Sequence, residues 1–225
     1  MERGNVFSAG ANRYGLVTLD HFRVLFSQAL KKTNHRPDKT VGSGDHDLNP
    51  GMLIPRKSTP ASVLIPVIGR PGHPTILLTK RSESLSHHAG QVSFPGGRME
   101  ESDASEAETA LRETEEEIGL RRKYIEIIGQ LETYDTRTGF RVTPVVGLVK
   151  PPFELRINPI EVAEIFEVPV SFILNRMNHE RHSREWQDTM RKFYVLPHPD
   201  HYIWGATAGM LVNLAEMLLE VLEES

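Results

Sequence analysis

Apolar positions recur along this chain with two different periods. Wound at ~100° per residue, residues 104–118 bring Ala107, Ala110, Leu111, Thr114 and Ile118 into one arc of roughly 100°, which predicts an amphipathic helix. Leu19, Phe22, Leu25, Phe26, Ala29 and Leu30 have the same spacing, with Thr18 placed to cap them. Met210, Leu211, Leu214, Leu218 and Val221 form the stripe of a closing helix over 207–222, which buries that stripe internally or in a homodimer. β-Branched runs predict strands at 63–68 and 75–80, joined by a turn at 70–74. Pro66 argues for an edge or bulge position of the first strand. Further strands are expected at 124–131 and 141–149, with a turn over 134–139 between them that can line a site; 160–169 is acidic and β-branched and precedes a short helix near 170–176, and late strands are expected at 185–196 and 202–204. Residues 1–17 read as irregular, and the polar stretch 31–60 as a linker or surface wrap. The organisation expected is a helix and irregular extension over 1–60 and one domain over 61–225. The pattern alone gives α/β or α+β.

The polar face of the helix at 104–118 is unusual. Glu113, Glu116 and Glu117 stand at i, i+3 and i+4, so their side chains converge along the edge of the buried face, while Glu115 points elsewhere. Like charges at i and i+4 destabilise a helix by ~0.2–0.5 kcal/mol per pair. Arg112 offsets one repulsion by pairing with Glu116. Crowded carboxylates of this kind suit a hard cation such as Mg²⁺, which takes oxygen ligands and shares its shell with water and phosphates. Asp103-Ala104-Ser105-Glu106 has the form of a capping box, which makes Asp103 and Glu106 caps rather than ligands. Gly119 suits the left-handed position that ends the helix.

Composition narrows the field. The 225 residues carry 39% hydrophobic and 25% charged side chains with a net charge of −4, and no basic stripe is evident. Nucleic acid is therefore not expected as a partner. The chain has no cysteine, which excludes disulfides, a thiolate nucleophile and a zinc–thiolate site. No membrane span, secretory leader or peroxisomal ending is read from the sequence, and a cytoplasmic enzyme is expected.

The segment from Gly97 to Leu120 resembles the Nudix box, G-x5-E-x7-R-E-U-x-E-E-x-G-U with U aliphatic. Arg112, Glu113, Glu116, Glu117, Gly119 and Leu120 match. Thr114 stands where an aliphatic residue is usual, and the interval from glycine to arginine is one residue longer, so the upstream glutamate has no clean counterpart and Asp103 is the nearest acid. The resemblance implies an α/β/α sandwich with a mixed sheet, and hydrolysis of a nucleoside diphosphate linked to another group with Mg²⁺ or Mn²⁺. Glu113, Glu116 and Glu117 are then carried over as metal ligands, with Arg112 orienting one of them. Glycines 96 and 97 let the backbone approach the phosphates. The proton acceptor for water is left open between Glu116, Glu161 and Glu164.

Upstream, Leu77, Leu78, Thr79, Arg81, Ser82, Gly90, Gln91, Phe94, Pro95, Gly96 and Gly97 resemble the extra signature of the coenzyme A pyrophosphatase branch, L-L-T-x-R-[SA] followed by G-Q-x-x-F-P-G-G. This implies a CoA-like small-molecule partner, with Arg81, Ser82, Gln91, Phe94, Gly97 and Arg98 at the substrate. Lys80 and Arg70 are further candidates for its phosphates. His87 and His88 are adjacent and read as loop histidines, although His88 can hydrogen-bond substrate. Hydrolysis of ADP-ribose, a dinucleotide or a nucleoside triphosphate is the rival reading, and a Nudix-fold nucleotide sensor without catalysis is the rival from another class.

Overall fold

The computed structural model describes residues 18–33, 43–52, 57–186 and 189–224; the expectation for 1–17 lies outside them. In chain order the elements are α1 (Leu19–Thr33), β1 (Ser43–Gly44), α2 (Asp45–Leu48), β2 (Thr59–Ile68), β3 (Thr75–Arg81), β4 (Val92–Ser93), β5 (Gly96–Arg98), α3 (Glu106–Ile118), β6 (Ile125–Gln130), β7 (Tyr134–Asp135), β8 (Phe140–Val149), β9 (Val162–Pro169), α4 (Val170–Leu174), β10 (Glu180–Trp186), β11 (Thr189–Pro197), β12 (Tyr202–Trp204) and α5 (Gly205–Leu222).

A mixed sheet organises the molecule. β2 and β8 run parallel along their whole length, while β3, β4, β5, β6 and β9 add antiparallel partners. Alternate residues of β2 serve two layers. Leu64 and Ile68 face α3, where Ala110 and Ile118 pack, and Ile65 and Val67 enter the main core with α1, α4 and α5. Burial on both faces explains why β2 and β3 read as nearly continuous apolar runs. The mixed α/β sandwich is the architecture expected.

Four expectations change. β2 is central, not an edge strand. Leu64 N–H bonds to Pro95 O (2.9 Å), so even-numbered residues of β2 direct their N–H toward β5 and β3. Pro66 falls between the residues paired with β5 (61–63) and those paired with β3 (67–68), where no ladder bond is forfeited. The single strand expected at 185–196 is a hairpin, β10–β11, which joins β12 in a second sheet. The supposed linker contains β1, parallel to β7, and the single turn α2, whose Asp45 accepts bonds from Tyr134 Oη and Arg137 N–H (both 2.9 Å). Burial raises the Asp45 pKa against those bonds. Finally, α1 is part of the main core. Phe22 and Phe26 are fully buried and the helix is capped by Thr18, whose Oγ1 accepts from His21 N–H (3.1 Å).

By length and composition α5 passes as a helix able to cross a membrane, but its apolar residues lie in the core. Met210, Leu211, Leu214, Leu218 and Val221 are all buried within the chain, so this stripe is not the face of a homodimer.

Candidate active site

The acidic helix α3 ends at Gly119, whose φ of 68° is the left-handed conformation expected of it. Its start corrects the capping assignment. Ser105 is the N-cap, accepting from Glu108 N–H (3.3 Å), and Glu106 is exposed. Thr114, the departure from the aliphatic pattern, is fully buried and donates its hydroxyl to Ala110 O (2.6 Å). Its polar atom is satisfied within its own helix, leaving the methyl for the core. Thr114→Val is therefore expected to change stability by less than about 1 kcal/mol, because a satisfied hydroxyl is exchanged for apolar burial. A chemical denaturation midpoint checks this, and a loss of several kcal/mol contradicts it.

Freed from capping α3, Asp103 does something the sequence reading missed. Its two carboxylate oxygens accept from Arg112 Nε and Nη2, each at 2.9 Å. It also accepts from Glu100 N–H and Thr109 Oγ1, both at 2.9 Å. These bonds, that from Arg112 first, hold the Asp103 carboxyl well below the usual carboxylate range. Arg112 is thereby fixed. Its Nη1 reaches Glu113 (2.9 Å) and Glu116 (3.2 Å), and its Nη2 reaches Arg98 O (3.2 Å). The one-residue offset from the family spacing, with an acid at its end, was the available signal for Asp103.

Two glycines bring the backbone against this face. A Cβ on Gly97 would stand 2.5 Å from the Glu113 carboxylate, and Gly96 N–H donates to Glu117 (3.2 Å). Glu117 is 3% exposed, and its remaining neighbour is Arg81 at 3.9 Å. Burial without a close cation pushes its carboxyl up to about 8. Burial also raises Glu113, although Arg112 opposes the effect. Glu116, half-exposed, completes the polar face.

The loop before β9 closes the site. Arg156 N–H bonds to Ile118 O and Asn158 N–H to Glu117 O, both at 2.8 Å. Asn158 Nδ2 then holds the Glu161 carboxylate (2.9 Å), a residue pair with no sequence motif to announce it. The charge of Glu161 is among those raising both Glu113 and Glu117. Glu164 is not part of this group. It pairs with Lys80 across β3 and β9, and its carboxylate meets His201 (3.1 Å), whose ring packs edge-on against Phe166 of the main core.

The segment 77–97 folds as β3, a loop, β4 and β5. Arg81 N–H bonds to Gln91 O (2.9 Å), Gln91 Oε1 meets the His88 ring (3.0 Å), and Ser82 N–H bonds to Glu161 O (2.8 Å). Arg81 keeps a buried Nε without a partner. Arg98 lies over Phe140, 5.3 Å from its ring centre. Phe94, expected at the substrate, is 2% exposed and belongs to the main core. Arg70 is bonded to Glu167, and Lys80 stands 3.8 Å from Glu83.

Among the described residues, no three acidic or imidazole side chains converge on one point at metal-ligand geometry. Glu113 and Glu116 turn to Arg112, and Glu117 to Gly96. The donor set still fits a hard divalent cation. It offers only carboxylate oxygens, and burial pushes the Glu117 carboxyl up against the bond from Gly96 and the charge of Arg81, a cost that Mg²⁺ or Mn²⁺ would relieve.

Comparison with known proteins identifies the family. The NUDIX domain model matches residues 58–188. An uncharacterized Nudix hydrolase, NudL, of Photorhabdus laumondii subsp. laumondii is 42% identical over 158 residues, which cover 70% of this chain and 84% of that protein. The uncharacterized NudL of Escherichia coli K12 is 39% identical over 155 residues, covering 69% and 80%. Among solved structures, the Nudix hydrolase RenU from M. smegmatis aligns with a TM-score of 0.43 at 23% identity, over 51% of this chain and 72% of that one. A family match across more than half the chain, with relatives similar along most of their own length, settles the kinship: this protein belongs to the Nudix family and is a pyrophosphohydrolase.

Proposed function

We propose that the protein hydrolyses the diphosphate of coenzyme A, or of an acyl-CoA, to 4′-phosphopantetheine and adenosine 3′,5′-bisphosphate. The observation that carries this reading is the position of segment 77–97, which brings Arg81 beside Glu117 (3.9 Å) and delivers Gly96 and Gly97 onto the acidic face. The proximity of Arg81, Gly96 and Gly97 to the acidic helix supports reading the two motifs as one site.

Glu113, Glu116 and Glu117 would hold Mg²⁺ or Mn²⁺, which would neutralise the diphosphate and acidify a water. Arg112, locked by Asp103, keeps Glu113 and Glu116 on one side of α3. The buried Nε and loosely paired Nη1 of Arg81 offer a planar donor to a phosphate. Gly97, Ser82 and Gln91 shape the backbone around it, and Arg98 stands at the rim. Water oxygen bonds to one phosphorus, the bridging P–O bond breaks, and the bridging oxygen leaves with the other phosphate. Glu161 takes the water's proton, since of the acids outside α3 it lies nearest the cluster in charge and contact.

The test is incubation with CoA, ADP-ribose and NADH in Mg²⁺ or Mn²⁺, with products resolved by mass. CoA is expected to give 4′-phosphopantetheine fastest, and Glu161→Gln to lower kcat without changing the products. Equal or faster turnover of ADP-ribose refutes the CoA assignment, and an unimpaired Glu161→Gln refutes its role as base. Binding of all three without cleavage favours the sensor.

A further inference from the structure

The β10–β11 hairpin carries chemistry that the hydrolytic site does not use. Arg184 and Arg191 stand directly opposite each other in its antiparallel register. Like charges so placed destabilise a sheet. Among the described residues neither is paired with an acid, and the Nε of Arg191 is buried without a partner. Side chains two residues apart share a face of a strand, so Trp186 and His182 of β10 and Phe193 of β11 lie on the same side as this pair. The strip is continuous: Phe193 meets Trp204 edge-on at 5.4 Å and the His182 ring at 6.3 Å, and Trp186 is 52% exposed. The acid at the far end of this face, Glu180, is taken by His182 (2.7 Å).

Two cation–ring contacts and the chain segments between them lead from the strip toward the carboxylates. Arg137 lies over Trp186 at 5.7 Å. The turn that carries Arg137 leads into Phe140, which carries Arg98, and Arg98 follows the Gly97 that abuts Glu113. Cationic and aromatic side chains (Arg98, Phe140, Arg137 and Trp186) thus stand on the segments between the reaction centre and the hairpin, in a chain whose net charge is −4.

We propose that Arg184 and Arg191, flanked by Trp186 and Phe193, form a binding site for a phosphate monoester, the one on the ribose of the substrate's nucleotide half. This rests on the CoA reading, whose adenosine carries such a group away from the diphosphate. Two arginines opposite each other on one face of a hairpin suit a dianion, and nearby rings suit the face of a purine. The pair then has a reason to face each other, because the ligand supplies the missing negative charge.

The chain's only two tryptophans, Trp186 and Trp204, lie in this strip, so their fluorescence reports occupancy directly. Titration in EDTA with adenosine 3′,5′-bisphosphate is expected to change it with a Kd about tenfold lower than for 5′-AMP, the gain of one charge-assisted contact. Arg184→Gln/Arg191→Gln should remove that difference. It should also raise KM for CoA about tenfold, with kcat unchanged and with KM for 3′-dephospho-CoA unaltered. A wild type that does not distinguish the two nucleotides overturns the proposal. So does a variant that weakens CoA and dephospho-CoA equally, or a discriminating titration with no change in KM, which marks a free nucleotide effector as occupant. The single variants serve if the double variant's melting temperature collapses. Failure of the wild type to cleave CoA defeats the functional reading, while the nucleotide titration still decides the phosphate site.

Discussion

Glu117→Gln is expected to lower kcat by on the order of 10³-fold while the protein stays folded and, in the absence of metal, becomes more stable above neutral pH. Both effects come from one carboxylate. Glu117 is 3% exposed, receives Gly96 N–H at 3.2 Å, and has its nearest cation, Arg81, at 3.9 Å. Burial therefore moves its titration from 4.5 to about 8. Below pH 4.5 the group is neutral folded or unfolded, and it costs nothing. Between 4.5 and 8 the unfolded chain gives up the proton while the folded chain keeps it, so stability falls as pH rises. Above 8 the whole cost is present. At 1.36 kcal/mol per pKa unit this amounts to roughly 1–4 kcal/mol, allowing for relaxation of the buried site. Glutamine is never ionised, so the variant's melting temperature should lack this decline. Mn²⁺ should raise the melting temperature of the wild type more than that of the variant, which keeps Glu113 and Glu116 but lacks the buried carboxylate that gains most from a cation. Near-normal turnover in the variant, or equal Mn²⁺ stabilisation of both proteins, refutes the ligand role.

The same residue shows why part of this site was legible in advance. Glu113, Glu116 and Glu117 are related by helical geometry, and helical geometry is local. A period of 3.6 residues and a left-handed glycine at 119 were enough to place them on one face of α3. The central strands were legible for a similar reason, since burial on both faces of the sheet writes a continuous apolar run. What failed was non-local. Asp103-Ala104-Ser105-Glu106 satisfies the capping pattern in sequence, yet Asp103 is claimed by a guanidinium nine residues on, and Ser105 takes the cap. Glu161 and Glu164 looked equivalent, but one precedes β9 and meets Asn158 at the cluster while the other, within the strand, turns to His201. Phe94 was matched to a ligand motif and proved to be core. The β10–β11 hairpin read as one strand because the sequence between Trp186 and Thr189 has no glycine or proline to announce a turn. Where a partner further along the chain decides, as Arg112 does for Asp103 and His201 for Glu164, no periodicity encodes it.

Asp103 supplies the second large effect. Its carboxylate grips Arg112 through two bonds of 2.9 Å, and the other side of the same guanidinium carries Glu113 and Glu116. Remove Asp103 and Arg112 is free to neutralise the two glutamates fully, which competes with a cation for their oxygens. Asp103→Ala should therefore lower activity by ~10–100-fold, the usual consequence of losing a group that orients a metal ligand, and raise the Mg²⁺ or Mn²⁺ concentration needed for half-maximal rate. A simple loss of stability would lower the amount of active enzyme without moving that concentration. Stability adds an independent signature. The folded-state pKa of Asp103 is depressed, so its contribution is fully present above the ordinary carboxylate range and is lost as pH falls toward its folded value. The gap between wild type and Asp103→Asn should thus be widest near neutral pH and close in acid. If Asp103 acts through Arg112, Asp103→Ala/Arg112→Ala will be no worse than Arg112→Ala alone, because the double-mutant cycle then has nothing further to remove. Additive losses would mean that Asp103 meets the metal or substrate itself, and the upstream acid of the box would have to be restored to the ligand set.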